Sequence, residues 1–190
     1  MHAGMEGAGA ERSIGVSIRL PFETEANEVI AKDPKLVSMK YFFTRKLMLV
    51  KESSAFVCMP GGFGTLDETL ELLTLQQTGK AEPTPIVLLD APGGRYWPGF
   101  DRFVREELAT RGMVADDDME RVLVTDSVDA ARTEILQFWR NYHSLRWVGS
   151  TLVLRLRADP TDDEVADLND RFGRLVASGR IARSRPLGPE

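Results

Sequence analysis

Ala55-Phe56-Val57-Cys58-Met59 runs directly into Pro60-Gly61-Gly62-Phe63-Gly64-Thr65-Leu66-Asp67-Glu68. The first five residues form an unbroken apolar run, which predicts a short buried strand. After the glycines, Leu66, Leu70 and Leu73, with Glu68, Leu72 and Leu75 beside them, recur at helical spacing. A strand that breaks at a glycine turn and enters a helix is a phosphate-holding arrangement in α/β proteins. Glycine lets the backbone come close to an anion, and the free N–H groups at the positive end of the helix face it.

Outward from this segment, strands and helices alternate. Ser13 to Leu20 alternates as a strand, closed by Pro21, and Phe22 to Leu36 reads as an irregular charged loop. A helix is predicted from about Ser38 to Lys51, with Phe43, Leu47 and Val50 on one stripe and Phe42 and Leu49 beside it. The helix after the glycine turn reaches about Thr78 and closes at Gly79. Pro85 to Leu89 is a further buried strand, Tyr96 to about Arg111 a helix ended by Gly112, and Val122 to Val124 a strand. Asp126 or Ser127 caps the next helix, which runs to about Tyr142. Continuously apolar strands between helices imply a parallel sheet covered on both faces, a Rossmann-like doubly wound α/β layout. Ligands in such sheets bind at the carboxyl ends of the strands, where Pro60 to Thr65 falls.

The pattern changes after His143. Leu145 to Val148 and Leu152 to Leu156 flank Gly149-Ser150 as a hairpin, Pro160 to about Ala177 reads as a helix, and Ile181 to Arg185 as a last strand. Seven arginines offset seven acids between Thr151 and Glu190, and no catalytic pattern stands among them. This small hairpin-and-helix appendage, residues 143–190, follows a main domain at 1–142. It is suited to covering a sheet edge or making a subunit contact.

The chain has 190 residues, 43% of them hydrophobic and 28% charged, enough for a proper core. A net charge of −5 argues against nucleic acid as the main partner and leaves a small anion possible. No apolar run is long enough to cross a bilayer, so no membrane partner is expected. Cys58 is the only cysteine, so no intrachain disulfide forms and a reducing, cytoplasmic compartment fits. With His2 and His143 the only histidines, no zinc site is expected.

Thr65-Leu66-Asp67-Glu68 also has a purely structural reading as a capping box, in which Thr65 and Glu68 exchange bonds. That reading leaves three glycines around Phe63 and two adjacent acids unexplained. The segment is no P-loop, since Gly-Lys-Ser/Thr is absent, and no dinucleotide fingerprint, since Gly-x-Gly-x-x-Gly is absent. It suits a single phosphate. Arg45 lies on a helical stripe with Ser38, Phe42 and Leu49. It is either a snorkelling or structurally paired arginine or one held to meet an anion bidentately. Glu68 is placed to act on the sugar attached to a phosphate at the turn.

Pro60 to Glu68 resembles the Pro-Gly-Gly-x-Gly-Thr-x-x-Glu signature of the LOG family, and Phe42-Phe43-Thr44-Arg45-Lys46 resembles that family's arginine–lysine helix. The likeness covers roughly residues 12 to 142. It implies hydrolysis of the N-glycosidic bond of a purine nucleoside 5′-monophosphate, AMP or an N6-modified AMP, by a homodimer or larger homo-oligomer without metal or organic cofactor. It implies Arg45 and Glu68 as the catalytic pair and Gly61, Gly62, Gly64 and Thr65 as the phosphate cradle. Phe63 and Leu66 lie in the same signature, and Lys46, Asp67 and Thr74 match positions lining the nucleotide site. Members have also been called lysine decarboxylases, but no pyridoxal-phosphate motif surrounds any lysine here. Family members begin with further glycine-rich strands, including a Gly-x-Met-Glu-Ala segment that lines the base pocket. Only about a dozen residues precede the first strand here, and His2 to Gly9 matches the family pattern just after that segment. The resemblance therefore implies that N-terminal strands are missing. Two other readings stay open: a non-catalytic nucleotide-binding or carrier module, and an inactive remnant surviving within an oligomer.

Overall fold

The computed structural model describes residues 6–18 and 33–184. Backbone contacts divide the chain into two compact units, Met1–Ala131 and Arg132–Glu190.

The first unit is α/β with parallel strands. Its centre is β4 (Ile86–Leu89), hydrogen-bonded between β3 (Phe56–Cys58) and β5 (Val122–Thr125). Both pairings are parallel, with Val87 opposite Val57 on one side and Leu123 on the other. All four β4 side chains are buried, as a continuous apolar run requires of a strand covered on both faces. Crossover helices α2 (Phe63–Gln77) and α3 (Tyr96–Phe103) join the three strands. Leu72 of α2, Ile86 and Leu88 of β4, Trp97 and Val104 at α3, and Met119 form the core. Trp97 is wholly buried and is the largest side chain in it. Gly79 ends α2 at φ +64°, a left-handed conformation that costs glycine little.

A second parallel pair joins β1 (Gly15–Ile18) to β2 (Leu36–Met39). This corrects the expected loop to Leu36 and the helix start at Ser38. Leu36-Val37-Ser38-Met39 is extended, and α1 begins later, at Phe42–Lys51. The strand is short and half polar, and it gains its ladder only through β1, which no local pattern reveals. The expected strand ends at Leu20 and Pro21, and most of the expected loop from Phe22, lie outside the described residues.

The helix expected from Tyr96 to Arg111 is not uniform. Its α-helical part stops at Phe103, a π-helical turn covers Val104–Leu108, and a 3-10 turn covers Ala109–Arg111 before Gly112 at φ +67°. The contact division falls inside α4 (Val128–Asn141), which Ser127 caps by accepting the Ala130 N–H at 3.2 Å.

In the second unit, β6 (Tyr142–Val148) and β7 (Thr151–Leu156) form the antiparallel hairpin, with a bulge between Tyr142 and Ser144 and Gly149 at φ +59° in the turn. Helix α5 (Asp162–Phe172) carries a true capping box. Glu164 N–H donates to Thr161 Oγ1, and Thr161 N–H donates to the Glu164 carboxylate at 2.7 Å. The Thr161 backbone N–H chiefly, with its hydroxyl, holds that carboxyl below the usual range. The helix stops short of the expected Ala177, with a 3-10 turn at Gly173–Leu175. The expected last strand does not form over residues 181–184, and Arg185 lies outside the described residues. Instead the Asn169 side-chain amide bonds both the N–H and the carbonyl of Ile181.

Candidate functional site

The glycine turn leaves β3 at its carboxyl end and becomes α2. Gly62, not Thr65, is the N-cap residue, and its carbonyl accepts from Thr65 N at 3.0 Å and Leu66 N at 3.2 Å. Thr65 therefore sits within the first turn. The capping-box reading of Thr65 and Glu68 is corrected: no side chain caps α2, and Glu68 points elsewhere. The N–H groups of Gly62, Phe63 and Gly64 find no acceptor among the described residues, as the start of a helix dictates.

Glu68 meets Arg45 of α1. Arg45 Nη2 donates to Glu68 Oε1 at 2.6 Å, with the two side chains 20% and 25% exposed. A charge-assisted bond of that length is strong. Arg45 Nε is buried and unbonded, while its guanidinium stands 5.5 Å from the centre of the Phe42 ring. Lys46, the next residue, bridges Asp67 at 2.7 Å and Glu71 at 2.9 Å, with Glu68 Oε2 at 4.0 Å. Its hydrogen bond to Asp67 chiefly, with help from Glu71, raises its pKa above the ordinary value against the opposing effect of burial. The cluster thus sets two cations, Arg45 and Lys46, against three carboxylates, Asp67, Glu68 and Glu71.

Helix α1 is turned so that this charged face is the covered one. Arg45 and Lys46 are half-buried, while Phe43 and Leu47 are 67% and 62% exposed and no residue of the helix is fully buried. Only the C-terminal end keeps the usual amphipathic arrangement, with Val50 packed against the core.

The other expected site residues fall in different places. Gly61 packs under Thr65: a Cβ on Gly61 would stand 2.1 Å from Thr65 Oγ1. Phe63 projects into solvent at 92% exposure. Leu66 packs against the core. Thr74 donates its hydroxyl to the Leu70 carbonyl at 2.7 Å. It lines an apolar cavity of about 100 Å³ with Leu70, Leu73 and Phe100, which none of Arg45, Glu68 or Gly61 to Thr65 lines. Glu71 is a member of the charged cluster that the sequence pattern did not single out. It lies one turn beyond Asp67, so helical spacing from Asp67 was a usable signal. Among the described residues, no group of three or more His, Cys, Asp or Glu is placed to hold a metal. Nor is any described helix long and apolar enough to cross a membrane.

The protein family described as "possible lysine decarboxylase" matches residues 1–135, well over half of the chain. The chain belongs to this family, the LOG family. A LOG-family relative from Mycobacterium marinum, a cytokinin riboside 5′-monophosphate phosphoribohydrolase, is 37% identical over 99 residues, covering 51% of this chain and 50% of the relative. A probable enzyme of the same name from Oryza sativa subsp. japonica is 26% identical over 132 residues, covering 70% and 56%. A third, from Mycobacterium tuberculosis, is 35% identical over 109 residues, covering 57% and 52%. The chain thus spans about half the length of the curated relatives it matches.

Proposed function

We propose that the protein hydrolyses the N-glycosidic bond of a purine nucleoside 5′-monophosphate, AMP or an N6-modified AMP, to free base and ribose 5-phosphate. The observation that carries this reading is the 2.6 Å pairing of Arg45 with Glu68 beside a glycine turn whose Gly62 and Gly64 amides find no acceptor among the described residues. The names of the relatives support the substrate class.

In this reading the 5′-phosphate lies against the N–H groups of Gly62, Phe63 and Gly64. The C1′–N bond breaks with its electron pair leaving on the base, which takes up a proton from solvent water. Water forms the new C1′–O bond and releases a proton to Glu68. As positive charge grows on the ribose, the Glu68 carboxylate stabilises it, much as carboxylates do in glycoside hydrolysis. Arg45 keeps Glu68 oriented, and its remaining donors anchor the nucleotide. The step is redox-neutral, and these side chains supply its acid–base and charge-stabilising groups. Lys46 is held by Asp67 and Glu71, so its part is to neutralise that acidic stripe beside the ribose.

We assign the nucleotide-binding domain to residues 1–142, which carry the parallel strands and the glycine turn, with residues 143–190 as an extension. The outward apolar face of α1, with Phe43 and Leu47, supports a homodimer. The single cysteine suits the cytoplasm. Incubating the protein with AMP and resolving the products tests the reading. Adenine and ribose 5-phosphate in equal amounts support it, and binding of AMP without release of base favours a carrier role instead.

A further inference from the structure

We propose that Tyr96 is a positioning residue that aims the Gly62 amide at the phosphate of the substrate. The proposal rests on the hydrolase reading for the identity of that substrate. Tyr96 stands on α3, far along the chain from the glycine turn, yet its hydroxyl donates to the Gly61 carbonyl at 2.8 Å. The Gly61 carbonyl and the Gly62 N–H belong to one planar trans peptide and point in opposite directions. Fixing one end fixes the other. With the carbonyl held by the phenol, the N–H is turned away from Tyr96 and finds no acceptor among the described residues. A flipped peptide would put a partly negative oxygen where an anion must sit. Glycine makes such flips easy, so a turn with three glycines needs an outside restraint.

Tyr96 is itself held firmly. Buried Asp90, at the carboxyl end of β4, accepts from Tyr96 N at 2.8 Å, Trp97 N at 3.1 Å and Ala91 N at 2.9 Å. The Tyr96 ring meets wholly buried Trp97 edge-on at 4.8 Å. Gly94 leaves room for this carboxylate, since a Cβ there would stand 2.1 Å from Asp90 Oδ1. On the other side of the turn, Gly61 abuts the Thr65 side chain, so its peptide is gripped from both sides.

Tyr96→Phe removes the hydroxyl and keeps the ring against Trp97. Losing one hydrogen bond of ordinary worth raises KM for AMP and Kd for ribose 5-phosphate by about three- to ten-fold. kcat is retained, and inhibition by adenosine, which has no phosphate, is unchanged. Merely structural damage would weaken AMP and adenosine alike, and that result overturns the proposal. So does unchanged affinity for ribose 5-phosphate. Wild-type protein that binds ribose 5-phosphate but releases no adenine defeats the hydrolase reading alone, and the binding comparison still decides the role of Tyr96. Wild-type protein that binds neither compound defeats both. One measurement needs no variant: the Gly62 amide resonance of the wild type shifts on adding ribose 5-phosphate, and a resonance that does not respond overturns the proposal.

Discussion

Gly61 and Thr65 are packed so closely that any side chain at position 61 would collide with the Thr65 hydroxyl, 2.1 Å from the place of a Cβ. Gly62, its neighbour, has nothing within 4 Å of the same point and a negative φ of −86°. The two glycines are therefore unequal. Gly61→Ala costs about 1–3 kcal/mol of stability as an overpacked site, whereas Gly62→Ala meets no clash and costs less, about 0.5–1 kcal/mol from the poorer N-cap. Urea unfolding of both variants checks the contrast.

Lys46 gives an alkaline signature. Its folded pKa is raised, by Asp67 first, above the ordinary lysine value of about 10.4. A raised value means that the folded protein binds this proton more tightly than the unfolded chain does. The contribution is complete below the unfolded value and is lost as pH rises through the folded one. Stability should therefore fall above about pH 10.4 more steeply in the wild type than in Lys46→Gln, measured by denaturant midpoints across that range. Parallel curves would show that Asp67 and Glu71 do not hold the ammonium.

Glu164 gives the opposite sign in the second unit. Its carboxyl is lowered by the Thr161 backbone donor, so its stabilisation is present above the unfolded carboxylate value and is lost as pH falls through the folded one. Glu164→Gln should flatten that acid loss. Thr161→Ala removes the N-cap hydroxyl and should cost about 1 kcal/mol, read from the helical signal of α5 during unfolding.

Asp90 accepts the Tyr96 and Trp97 N–H groups at the start of α3 and the N–H of its own neighbour Ala91. Asp90→Ala strands them in a buried place and should destabilise the first unit by about 3 kcal/mol or more. A thermal midpoint equal to the wild type would contradict that role.

Much of this was legible in the chain itself, for identifiable reasons. Ile86 to Leu89 is apolar at every position because it is the middle strand, and the sequence says so directly. Gly79 and Gly112 mark helix ends because both need positive φ. The nearness of Arg45 and Glu68 was expected from the family resemblance. The charged cluster's third carboxylate, Glu71, was within reach of helical spacing. Three features were not legible. Leu36 to Met39 becomes a strand only because β1 offers a partner. Ile181 is held by Asn169 where a ladder was expected. Thr65-x-x-Glu68 and Thr161-x-x-Glu164 match the same pattern, yet only the second caps a helix. Glycines before Thr65 let α2 start earlier, at Phe63, and free Glu68 for Arg45.

In the proposed reaction Glu68, held by Arg45, acts on the glycosidic bond of a bound nucleotide. Adenine release from AMP by the wild type and by Glu68→Gln, both confirmed folded, tests it most directly. Measurable release by the wild type and a loss of about 100-fold or more in the variant are expected. Release by Glu68→Gln at the wild-type rate would contradict that role of Glu68.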